Sequence, residues 1–89
     1  MPTDSSALFA ISVAAELAEL PIQNLRVYER RGLLAPARTP GGTRLYSQAD
    51  IVLLRRIAAL LTQGLNLAGI RRVLELEREV DRLRARLGG

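Results

Sequence analysis

The sequence predicts a mainly α-helical fold. Two short helices separated by a tight turn come first, then a glycine-tipped turn between extended arms, a third helix, and a long C-terminal helix. Three observations carry this prediction. Pro21 and Gly32 bracket one helical pattern that follows closely on another. Pro40, Gly41 and Gly42 form a tip between two short arms, Leu33–Arg38 and Thr43–Ser47. Val73, Leu76, Val80, Leu83 and Leu87 recur at alternating steps of three and four.

Each element has its own local signals. Met1–Ser6 is polar, and residues 1–7 are expected to be a flexible N-terminus. Leu8–Ile11 reads as an extended lead-in. Ser12 is placed to cap a first helix, "SVAAELAEL", whose Val13, Leu17 and Leu20 share one face. Pro21 suits the first turn of a second helix, "PIQNLRVYERRG", because a first-turn residue needs no N–H. Ile22, Leu25 and Tyr28 would point inward, and Gly32 would close the helix in a left-handed conformation. This is helix-turn-helix spacing. Leu33–Ser47 then reads as two extended arms, with Pro36 and Pro40 limiting how much sheet they form. Ser47 and Asp50 make a capping-box pattern before the apolar run Ile51–Leu54. The third helix would run to about Gln63 and stop at Gly64, with Asn66 capping the last helix.

The last helix carries an a/d seam of about two heptads, with Glu77, Glu79, Arg84 and Arg86 on its flanks. A lone helix of this kind is marginal in water, so the seam needs a partner. It could pack back on the domain or pair with a second copy; pairing is the expectation. The flanking charges fit a parallel or an antiparallel pair equally.

Composition narrows the function. The chain has 89 residues, 48% of them hydrophobic, with Phe9, Tyr28 and Tyr46 its only aromatics. A domain this small buries roughly 60% of its unfolded surface, so a partner subunit would help it. Without Cys or His it has no thiolate or imidazole for a metal, and no cofactor is expected. All 13 basic residues are arginine, and the net charge is +4. The charge is concentrated: Pro21–Arg56 holds seven arginines against Glu29 and Asp50 alone. Such a patch suits a phosphate backbone or an acidic surface. The residues point away from an enzyme, since no nucleophile–base pair is visible. The Pro-Gly-Gly tip lacks the Gly-Lys-Ser/Thr ending of a nucleotide-binding loop. No apolar run is long enough for a membrane span, and a cytoplasmic location is expected.

In this order of elements, three stretches resemble the winged helix-turn-helix domain of the MerR family of transcription regulators. "LRVYERRGLL" is similar to that family's recognition helix, "RTPGGTRLYSQADI" to its wing and third helix, and "GLNLAGIRRVLEL" to its short fourth helix. Within the family, "ISVAAELAEL" and "NLAGIRRVLELE" look most like the heat-shock repressors of the HspR branch. The resemblance covers about Leu8–Leu87. Three residues depart from the pattern: Val27 stands where a Tyr is usual, Thr43 where Tyr or His is common, and Pro21 where many members carry a capping side chain. Larger family members carry an effector domain or metal-binding Cys residues after the dimer helix, and a further departure is expected here, a short form without an effector domain.

It also implies a mainly α fold with a winged helix-turn-helix over residues 8–64, a small β-hairpin wing, and a C-terminal coiled-coil dimerisation helix over residues 65–89. Its partner would be double-stranded DNA. The start of the second helix would enter a major groove, where Gln23 and Asn24 suit base edges. Arg26 could contact a phosphate or pair with an acid such as Glu29. Tyr28 could offer its hydroxyl to a phosphate or fill the core. Arg30 and Arg31 end the helix, where the dipole favours cations and a phosphate is within reach. In the wing, Arg38, Thr39, Gly42, Arg44 and Tyr46 are phosphate candidates, Arg44 first among them. Arg55 could reach flanking backbone; Arg71 and Arg72 read as a solvated face. Val73, Leu76, Val80, Leu83 and Leu87 would dimerise. The expected function is a homodimeric repressor on an inverted repeat, and a chaperone co-repressor is implied as a further partner. The rivals are an excisionase-like or architectural DNA binder, and an adaptor that heterodimerises with a longer paralogue.

Overall fold

The computed structural model describes residues 7–88; the segment 1–6 of the expected flexible terminus lies outside the described residues. The elements are β1 (Leu8–Phe9), α1 (Ile11–Ala18), α2 (Ile22–Arg30), β2 (Ala37–Arg38), β3 (Arg44–Ser47), α3 (Gln48–Thr62) and α4 (Leu67–Gly88). The chain forms two compact units, divided after Ala59.

In the first unit, a three-stranded antiparallel sheet has the order β1-β3-β2. The hairpin β2–β3 pairs Ala37 with Leu45 and Arg38 with Arg44. The lead-in foreseen near Leu8 becomes a third strand, pairing Leu8 with Ser47 and Phe9 with Tyr46. At the hairpin tip the Gly42 N–H donates to Thr39 O (2.8 Å), and the Thr39 N–H donates to Thr43 O (2.9 Å). Pro40 presets the first turn position, and Gly42 adopts φ +88°, a left-handed residue closing a three-residue loop. An added Cβ at Gly42 would meet nothing within 4 Å, so its backbone angle alone demands glycine.

The α1 helix departs from expectation in two ways. It begins at Ile11 on an extended Ala10, with no side-chain cap, so Ser12 lies inside it. Its buried residues are Ala14, Ala15 and Ala18, whereas Val13 and Leu17 are exposed. The reason is close packing: α1 lies against α2, β1 and β3, and only methyl side chains fit an approach that tight. Likewise Leu25 and Tyr28 of α2 are buried, but Ile22 is exposed.

Three helices end the same way. The N–H two or three residues past each helix reaches back five residues: Leu20 to Ala15, Leu33 to Tyr28, and Leu65 to Leu60. Each needs a left-handed residue just before it. Gly32 (φ +74°) and Gly64 (φ +93°) supply it for α2 and α3, but α1 uses Glu19 (φ 59°). A side chain there is strained by about 1–2 kcal/mol. Glu19→Gly is therefore expected to raise stability by about 0.5–1 kcal/mol, read from the urea midpoint; a lower midpoint would contradict this account.

Start signals hold for the later helices. The Ser47 N–H donates to Asp50 Oδ2 (2.9 Å) and the Asp50 N–H to Ser47 Oγ (3.1 Å), a reciprocal capping box for α3. Ile51, Leu54 and Ile57 of α3 are buried. In the second unit, Asn66 caps α4 by accepting the Gly69 N–H at Oδ1 (2.8 Å). The family-like short fourth helix and the seam segment are here one continuous helix of 22 residues, in which Ile70 and Leu74 are buried.

Candidate nucleic-acid interface

The α2 helix and the hairpin tip supply the site in the first unit. Gln23 is exposed in the first turn of α2, and Arg26 follows one turn later, also exposed. Asn24 is half-buried, and its Nδ2 donates a long hydrogen bond (3.4 Å) to the Tyr28 hydroxyl. Tyr28 is itself buried, so its ring belongs to the core. Arg30 and Arg31 are exposed at the end of α2.

The helix and the hairpin meet at Glu29. Its carboxylate binds Arg38 Nη2 at 3.0 Å and also accepts from Arg44 Nε. Arg38 Nη1 donates to Gly42 O (3.3 Å), across the loop. Arg26, Glu29, Arg30 and Arg44 line one cleft of about 280 Å³. Arg26 and Arg44 also line a neighbouring recess of about 230 Å³ with Ala10, Ile11, Gly42 and Thr43. A concave surface with three guanidinium groups and one carboxylate is suited to an anionic backbone. Thr39 is committed locally: its Oγ1 accepts the Thr43 N–H (3.1 Å). Exposed Gly42 contributes its backbone only.

Two candidates are placed elsewhere. Tyr46 is 0% exposed, so it is a core residue and not a side chain offered to a phosphate. As the mid-sheet partner of Phe9 it lies where α1 covers β3. Its hydroxyl is buried without a hydrogen-bond partner among the described residues. Burial, assisted by the Glu29 charge, raises its pKa above the ordinary 10.0. Arg55 donates from Nε (3.1 Å) and Nη2 to Leu17 O, a carbonyl left open at the end of α1. Its guanidinium is thus a tie between α3 and α1 and not a free arm.

Tyr46→Phe follows as a test. Removing an unsatisfied buried hydroxyl should leave stability near pH 7 unchanged or raise it by about 1 kcal/mol, and should leave DNA affinity unchanged. The raised pKa means that the tyrosine contributes stability fully below pH 10.0, and loses it as pH rises from there through the folded-state value. The phenylalanine variant should lack that tyrosine-linked alkaline loss. A marked fall in DNA affinity in the variant would return Tyr46 to the contact surface.

In the second unit, the seam residues lie along α4. Leu76, Val80 and Leu83 are 43%, 42% and 48% exposed, Val73 is half-buried, and Leu87 is the most open. Val73, Leu76, Glu77, Val80, Asp81 and Arg84 line a groove of about 450 Å³. Arg72 pairs with Glu75 on the helix surface (3.3 Å). Among the described residues no cluster of His, Cys, Asp and Glu could hold a metal, and no helix is long and apolar enough to cross a membrane.

The sequence drew attention to the arginines but not to the residue that gathers them. Glu29 and Asp50 are the only acids of the basic segment, and Asp50 is taken by the capping box. That left Glu29 as the available counter-charge.

Comparison with known proteins bears on this geometry. Residues 9–77 match the model of the MerR HTH family regulatory proteins. The chain is 49% identical over 85 residues to a putative heat shock protein HspR of Streptomyces coelicolor, covering 94% of this chain and 56% of that protein. It is 44% identical over 70 residues to the HTH-type transcriptional regulator GlnR of Bacillus anthracis, covering 79% of this chain and 54% of that one. The chain thus spans about half the length of the curated relatives it matches. Among solved structures it is similar to HiNmlR, a regulator lacking the sensor domain and bound to promoter DNA, at TM-score 0.76 and 27% identity. That match covers 92% of this chain and 64% of the other. A transcriptional regulator from Bacillus cereus gives TM-score 0.71 at 27% identity, covering 91% and 67%.

Proposed function

The chain belongs to the MerR helix-turn-helix family of regulatory proteins, and on that premise we propose that it is a sequence-specific DNA-binding regulator of transcription, acting as a homodimeric repressor on an inverted repeat. Residues 8–64 would bind DNA and residues 65–89 would dimerise. The observation that carries this reading is the cleft where Arg26 and Arg30 of α2 meet Arg44 of the hairpin. A helix and a wing that share one cationic surface can grip a groove and its flanking backbone together.

In this reading Gln23 meets base edges, with Asn24 beside it, while Arg26, Arg30, Arg31 and Arg44 meet phosphates. The exposed α4 seam joins two copies and sets the spacing of half-sites. The likeness to a heat shock protein HspR agrees with the resemblance of the sequence to heat-shock repressors, and on that resemblance the proposal extends to repression, a chaperone co-repressor as a further partner, and action at the nucleoid.

Selection from a random-sequence DNA pool, followed by footprinting at physiological salt, tests the proposal. The expected result is an inverted repeat bound at least about a thousandfold more tightly than bulk DNA. Equal binding to every sequence would overturn it.

A further inference from the structure

Arg38 and Arg44 face each other as a cross-strand pair. Like charges directly opposite are destabilising, so this pair needs a counter-charge. Glu29 provides it from another element, with its side chain 18% exposed against 48% and 42% for the two arginines. The two guanidinium groups are used differently. Arg38 spends both terminal nitrogens inside the protein, on Glu29 and on Gly42 O. Arg44 binds Glu29 through Nε, and its two Nη amines make no hydrogen bond among the described residues.

Resting on the reading of the wing as a DNA contact, we propose that Glu29 is a positioning residue for DNA binding, which holds Arg38 as a strut across the hairpin tip and fixes Arg44 with both Nη amines left for one phosphate. A guanidinium is a planar fork of donors, so anchoring its Nε edge orients the remaining pair. Orientation before binding removes the entropy cost of ordering a long side chain at the interface. The wing arginines thus divide their work: Arg38 shapes the tip and Arg44 makes the contact.

The proposal predicts a sign opposite to simple electrostatics. Removing a carboxylate beside DNA should tighten binding, because one repelling charge is gone. Removing a positioning residue should weaken it. Glu29→Gln keeps the side-chain shape and Glu29→Ala abolishes the anchor; each is combined with Arg44→Ala in a double-mutant cycle. The probe is a duplex recovered by the wild-type protein from a random-sequence pool, with thermal melts confirming the fold.

The expected result is weaker binding by about fivefold or more for the Glu29 variants, and no such effect once Arg44 is absent. The slope of log affinity against log salt should fall by about 1 in Glu29→Ala, as for a lost phosphate contact. A merely structural role for Glu29 would weaken binding whether or not Arg44 is present. Tighter or unchanged binding of the Glu29 variants, with Arg44→Ala still weakened, would overturn this proposal and leave the wing reading standing. Unchanged binding of Arg44→Ala would overturn both.

Discussion

Val80→Glu combined with Leu83→Glu is expected to give a folded monomer that has lost tight DNA binding. Both residues are more than 40% exposed, so charge at either position costs this chain little by itself. Ile70 and Leu74, the buried residues of α4, are untouched. In a pair of α4 helices, however, the two glutamates would lie in the seam and be desolvated near like charges. Light scattering should report one copy in place of two. Joining two DNA-binding units raises affinity by about 10²–10⁴-fold through effective concentration alone, so dissociation should cost about a hundredfold or more on an inverted repeat. Circular dichroism should lose no more than the signal of the unpaired end of α4. A double variant that remains dimeric would place the subunit contact outside the seam.

Leu54→Ala should act by the opposite route, weakening the fold and with it the function. Leu54 is fully buried in α3. Truncating such a residue costs about 2–5 kcal/mol, combining lost burial with the cavity left behind. Total stabilities of small domains run from about 5 kcal/mol upwards, and a chain of this length belongs near the lower end. The variant should therefore be partly unfolded at 37 °C, with its urea midpoint reduced by a large fraction. Together the two experiments separate assembly from folding, since both weaken DNA binding but only Leu54→Ala lowers the helical signal of the DNA-binding unit. A midpoint lowered by less than about 1 kcal/mol equivalent would mean that the core relaxes around the gap.

Helix boundaries were legible in the sequence wherever one residue type has a steric monopoly or a capping group. Gly32, Gly64, Asn66 and the Ser47–Asp50 pair all act where expected, whereas Pro21, expected in the first turn of α2, stands one residue before it as an extended N-cap. Where a boundary used an ordinary residue, as at Glu19, nothing in the sequence could flag it. Periodicity also chose the wrong face of α1. Large apolar residues dominate such a pattern, but here close packing against neighbours buries Ala14, Ala15 and Ala18. The strand β1 has two residues and no pattern long enough to read. The basic segment announced itself by charge, whereas the gathering of Arg38 and Arg44 on Glu29 depends on how the hairpin folds back on α2. Tyr46 was misplaced for a similar reason. A tyrosine two residues from Arg44 was read as a phosphate contact, and the covering by α1 puts it in the core instead.

The pairing of Phe9 with Tyr46 also sets an order of assembly. Hairpin and helices are built from neighbours in the chain, but β1 reaches β3 only after α1, α2 and the hairpin have all been enclosed in one loop. Closing that loop is entropically slow, so the sheet should join late, after the local elements have formed. The edge it completes is the one beside Ala10 and Ile11, which line a recess with Arg26 and Arg44. A nascent or partly unfolded chain can therefore hold nearly all its helix while its binding surface is unfinished. For this protein, recovery of helical signal on refolding should precede recovery of DNA binding.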